Sequence, residues 1–141
     1  MKTFTDSSVG TFSAEGDYSA ANMEYRLVVP GTSVEQVKIP AADTDIAIGV
    51  MLNIPAAGEN ASVRFLNSGG SCWMRAVAAI SVGDFVVAAL VADTTHYGKI
   101  RTMTGITTET VYIVGRALEA ATAEDDLIEV LLLPAIQRVI A

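Results

Sequence analysis

The chain has 141 residues, 51% of them hydrophobic, and a formal net charge of −7 from 16 acidic and 9 basic residues. That length carries one real core rather than two independent domains, and basic residues scattered singly exclude the clustered positive charge that a nucleic acid backbone requires. The lone cysteine, Cys72, excludes an intrachain disulfide and any multi-cysteine zinc site. No apolar run approaches the roughly 20 residues of a membrane-spanning helix, and Met1 to Asp6 lack the apolar stretch of a signal peptide, so a soluble, unexported chain with no membrane partner is expected.

Residues 1–22 are rich in Ser, Thr, Gly, Ala and Asp without clear periodicity, and predict an extended N-terminal arm ahead of a single β-rich domain over 23–141. Tyr25 to Val29 and Val34 to Ile39, separated by Pro30-Gly31, predict a β-hairpin or two successive short strands. Ala41 to Asp45 suits one helical turn capped by Asp43, which Gly49 and Pro55 prevent from growing. Ala61 to Leu66 alternates as a half-buried strand, Asn67-Ser68-Gly69-Gly70 supplies a turn, and Cys72 to Val77 forms the next strand. Gly83-Asp84 turns into a strand reaching about Val91, a polar loop spans 92–98, and Lys99 to Met103 is a short exposed strand. Val111 to Leu118 and Leu127 to Leu133 close the fold, joined by an Ala- and Glu-rich connection that favours one helical turn. Short strands at such spacing predict an all-β chain, a small barrel or sandwich with at most one or two helical turns.

One passage occurs twice. Gly49, Leu52 and Ala57 recur at one constant offset as Gly115, Leu118 and Ala123, each copy running from an apolar strand into a turn and on to a second apolar strand. The repetition describes a small β unit used twice, and it contains no reactive side chain. Positive mean hydropathy implies more apolar surface than one small core hides, and hence association.

The run Ile48 to Glu59, the step Ile80-Ser81-Val82-Gly83-Asp84-Phe85-Val86 and the closing run Val114 to Ala121 resemble, in this order, the capsid cement or head decoration proteins of tailed bacteriophages. The resemblance covers Tyr25 to Leu133. The Asn67 to Ser71 turn is longer and more polar than the single-glycine turn of those proteins, and Ala123-Glu124 stand where a glycine is typical. The resemblance implies a structural virion protein, not an enzyme, made in the host cytoplasm and bound to the outer surface of an icosahedral head. There it would cement neighbouring major capsid subunits, in such families often as a homotrimer. Phe4, Phe12 and Tyr18 are the arm's apolar groups and the expected contacts with capsid or sister subunits.

Sharper chemistry finds little support. His96 sits in a polar loop where an exposed histidine is ordinary, and there is no G-x-S-x-G elbow to pair with it. Cys72 reads as a small buried hydrophobe with no adjacent cation to activate it. Glu124-Asp125-Asp126, with Glu119 and Glu129 nearby, lack the spacing of a calcium loop and read as a solvated turn. Gly69-Gly70 read as turn residues, no phosphate-loop motif being present, and Asn60-Ala61-Ser62 matches the glycosylation sequon only by chance in an unexported chain. Trp73 suits core and interface equally. No cofactor or metal is expected. The rival reading is a stand-alone β-barrel that binds a ligand, sugar or peptide, which requires a concave pocket lined by convergent polar groups.

Overall fold

The computed structural model describes residues 8–42, 45–89 and 94–140. The chain is all-β, its only helical features among the described residues being 3-10 turns at Leu66–Ser68 and Thr94–His96. Strands β1 (Val9–Ala14), β2 (Leu27–Pro30), β3 (Gln36–Lys38), β4 (Gly49–Met51) and β5 (Asn60–Phe65) close into a barrel in the order β1-β3-β2-β4-β5. Strands β6 (Ser71–Arg75), β7 (Phe85–Ala88), β8 (Ile100–Thr102), β9 (Glu109–Ala117) and β10 (Leu127–Ile140) form a second, curled sheet in the order β6-β10-β9-β7-β8.

The second sheet is the first barrel again. Replacing each strand by the one five places later turns the cyclic order of the first into that of the second, and the registers agree. Val28 opposes Gly49 as Val86 opposes Gly115, and Phe12 opposes Ala61 as Met74 opposes Ile128. The parallel contact that closes the barrel, Ala14 with Val37, returns as a bridge between Ala76 and Ile100, so the curled sheet meets itself at one point. Left-handed backbone recurs too. Tyr25 (φ 62°) donates its N–H to Met51 O as Gly83 (φ 90°) donates to Ala117 O. Gly58 (φ 80°) and Asp125 (φ 70°) donate likewise to Ala14 O and Ala76 O. The twice-used passage is thus the β4–β5 and β9–β10 part of a whole duplicated module.

Alternation explains the cores. Ala14, Val28, Val37, Met51, Ala61 and Val63 fill the first barrel; Ala76, Val86, Ile100, Ala117, Ile128 and Val130 hold the corresponding positions in the second. Gly49 and Gly115 are small because a Cβ there would run into the neighbouring strand's backbone, at Arg64 O and Leu131 O respectively. The modules share one core cluster, in which Leu27, Ala47, Val50 and Leu66 of the first pack with Met74, Ile80, Val114 and Leu132 of the second. A third cluster, Val87, Val111 and Ile113 with Met103, Ile106, Leu133 and Ile140 against it, lies under the extended β9–β10 ribbon.

Three expectations change. Residues 9–14 of the expected arm are a wall of the first barrel, hydrogen bonded to β5 on one side and β3 on the other. Gly10, Phe12 and Ala14 point inward by strand alternation; the Phe65 ring occupies the space a Cβ on Gly10 would need and meets the Phe12 ring edge to face. β10 does not stop at Leu133 but passes an irregularity between Leu132 and Ile136 and continues paired with β9 to Ile140. The connection 119–126 forms no helix, because Asp126 Oδ2 accepts the N–H groups of Thr122 and Ala123 and holds a turn. Asp43 lies outside the described residues; Asp45 Oδ2 accepts from Ala41 N and Ala42 N.

Candidate functional site

Two features stand out from the scaffold, an open sheet face and a charged cleft. The face is the outer side of β6, β10, β9 and β7. Residues directly opposite one another share a side of a sheet, so Ser71, Leu131, Arg116 and Phe85 form one row across the four strands. Trp73 and Glu129 form the next row, and Leu118 joins them by donating its N–H to Glu129 O. Trp73 is 50% exposed, Leu118 45%, and Phe85 and Leu131 40% each. The polar members hold this surface in place. Arg116 lies 5.3 Å over the Phe85 ring and donates Nε–H to Gly83 O, while Ser71 Oγ donates to Glu129 Oε1 at 2.6 Å. Tyr25 meets Trp73 edge to face at 5.5 Å.

The duplication makes this exposure informative. The counterparts of Phe85 and Arg116 in the first module are Leu27 and Val50, both 0% exposed within the core shared with the second module. If the modules met about a two-fold axis, equivalent residues would be equally buried. They are not, so the contact is head-to-tail, and the surface that one module covers on its neighbour is left open on the last.

The cleft lies at the seam between modules and has a volume of about 590 Å³. Buried Arg26 and Lys99 line it, and Arg75 is buried beside them. Arg75 pairs with Glu24 at 2.7 Å and, more distantly, with Asp125; Lys99 Nζ pairs with Glu124 at 2.8 Å and Asp125 at 2.9 Å. Arg26, 6% exposed, has no carboxylate within ion-pairing distance among the described residues. Its Nε and Nη1 instead donate to the carbonyls of Asn22, Thr95 and Tyr97, and so stitch the modules together. Burial is the main force pulling the Arg26 guanidinium below the ordinary arginine value, with Asp125 opposing it. Asp125 Oδ1 is buried and accepts no well-aligned hydrogen bond, although Lys99 Nζ is close by. The proximity is an ion pair of poor angle, and it leaves acceptor capacity unused.

The sequence-derived candidates fall as follows. Phe12 packs edge to face on Phe65 in the first barrel at 5.9 Å, and Tyr18 packs on the same core, its hydroxyl oxygen accepting Ile39 N–H. Both are half buried and support the first barrel; Phe4 lies outside the described residues. His96 Nε2 sits 3.5 Å from Glu124 Oε1 at the cleft. Cys72 is partly buried, and burial pushes its thiol up against the smaller opposing pull of Arg64. Glu124 and Asp125 lie in a turn open to solvent, as expected, and are in addition the counter-charges of Lys99 and Arg75; among the described residues no three His, Cys, Asp or Glu side chains gather as metal ligands. Gly69 and Gly70 are turn residues, both at positive φ. Trp73 lies half on the surface. Sequence reasoning missed Arg26, Arg75 and Lys99. The signal available was that each falls within a stretch predicted as strand, where a charged side chain needs a partner.

No family model matches the chain, and no curated protein does. Among solved structures, the N base of head fiber gp8.5 in bacteriophage phi29 matches at a TM-score of 0.62 and 20% sequence identity, over 91% of this chain and 95% of that one. At that identity the likeness is one of fold, and it spans both modules.

Proposed function

We propose that this protein is a structural, non-enzymatic component of a tailed-phage virion, seated on the outer surface of the head, where it cements neighbouring major capsid subunits. The observation that carries the reading is the match of nearly the whole tandem fold to the base of a phage head fiber, joined to the order of motifs in the sequence. The open face of Phe85, Arg116, Leu118, Leu131 and Trp73 supplies the contact. Each Å² of apolar surface removed from water contributes about 25 cal/mol before the cost of association, so a modest patch suffices when many copies bind one shell. Head-to-tail geometry within the chain also suits a homo-oligomer, a trimer in the first instance, because a heterologous contact that closes makes a ring.

Sedimentation with expanded empty shells tests this, comparing wild type with Leu131→Asp and Trp73→Asp. Fixed-stoichiometry co-sedimentation that either substitution weakens is the expected outcome. A wild-type protein that stays in the supernatant at every concentration refutes the reading. The seam cleft favours a second role, in ligand binding, which a virion surface accommodates.

A further inference from the structure

We propose that the seam cleft is a binding site for a neutral saccharide. Its volume, about 590 Å³, falls in the range of small-molecule sites, about 300–1,000 Å³. Tyr18 and Tyr97 border it, both half buried and both packed on the first barrel's core, so that their rings are held without further ordering. Rigid aromatic rings beside hydrogen-bonding groups are the chemistry that takes a sugar, whose C–H face stacks while its hydroxyls bond.

The polar groups select against a charged ligand. Arg26, Arg75 and Lys99 are balanced by Glu24, Glu124 and Asp125. An anion would compete with Glu124 and Asp125 for Lys99, and a cation would meet buried arginines. Within the same cleft Arg26 has no hydrogen bond from Nη2 to the described residues, while the side chains of Glu124 and Asp125 remain 45% and 34% exposed. A hydroxyl both donates and accepts, so a polyol can donate to these carboxylates and accept from the guanidinium without adding charge. The site exists only where the modules meet, since Tyr18 and Arg26 come from the first and Tyr97, Lys99, Glu124 and Asp125 from the second. This role is independent of the virion reading, and its test uses no shells.

The experiment is a titration of the isotope-labelled full chain with maltose, lactose and N,N′-diacetylchitobiose, each to about 10 mM, which covers millimolar sites, with glycerol as control. Expected are saturable amide shifts at Asn22, Met23, Tyr97 and Asp125 with at least one disaccharide and none with glycerol. Tyr97→Ala should weaken that binding at least about fivefold. If Tyr97→Ala fails to fold, Asp125→Asn, which retains the shape and tolerates the left-handed backbone, should weaken it instead. The proposal is overturned if no disaccharide moves those amides, if the shifts map elsewhere, if glycerol matches the sugars, or if the folded variant binds as wild type does.

Discussion

The two modules solve one packing problem with exchanged residues, and the exchange can be tested. Met51 and Ala61, both 0% exposed, face one another diagonally inside the first barrel, where Met51 pairs across the strands with Val63. In the second module the large and small positions are reversed, with Ala117 at the place of Met51 and Ile128 at that of Ala61. Met51→Ala alone should cost about 2–5 kcal/mol, the lost transfer energy plus an unfilled cavity. Ala61→Ile alone should cost about 1–3 kcal/mol, because Phe12 stands directly opposite and the barrel wall cannot expand freely. Together they recreate the second module's arrangement at nearly conserved volume, so the double variant should lose less than about 2 kcal/mol. The coupling energy, measured by urea unfolding of all four proteins, should then reach about 2–3 kcal/mol. A double variant whose loss equals the sum of the singles within about 0.5 kcal/mol would show that the equivalence of these positions does not extend to packing.

Gly49→Ala should destabilise by about 1–3 kcal/mol, since its Cβ would stand 2.5 Å from Arg64 O, a backbone atom that β4–β5 pairing holds in place; Gly115→Ala should behave alike, and a neutral result at either in thermal unfolding would count against the register. Cys72, its thiol pushed up by burial first and foremost, should react with iodoacetamide at pH 8 several times more slowly than in urea-unfolded chain, whereas equal rates would mean the sulfur is open and ionises normally. Asp126 is held below the usual carboxylate value by the N–H groups of Thr122 and Ala123 and then the Thr122 hydroxyl, and Glu15 and Asp17 are lowered by Thr32 and Ser19. A lowered folded pKa stabilises at pH above the unfolded value, about 3.9 for aspartate, and that contribution disappears as pH falls through the folded value. The Asp126→Asn variant should therefore lose stability less steeply than wild type below about pH 4, and parallel acid-unfolding curves would refute the assignment.

Much of the fold was legible in local pattern. Alternation in Ala61 to Leu66 and Leu127 to Leu133, the turns at Pro30-Gly31 and Gly83-Asp84, and the recurrence of Gly49 as Gly115 each record a short-range constraint, and strands and turns followed from them. The chain by itself thus determined its class, its turns and the trace of a repeated unit. The rest depended on partners remote in sequence. Residues 9–14 looked like an arm because Gly10 and Ala14 carry weak strand propensity and dilute Val9, Thr11 and Phe12, and only the parallel seat beside β3 and the Phe65 ring above Gly10 make them a barrel wall. The full duplication was hidden because the loops between equivalent strands differ in length, so no single offset aligns them. The seam site was hidden more deeply, since Arg75 finds Glu24 and Arg26 finds the Tyr97 carbonyl only once the modules dock. Whether Phe85 is a surface residue while Leu27 is core also depends on that docking. Periodicity states which way a side chain points from its strand; only the assembled molecule determines what, if anything, lies there to meet it.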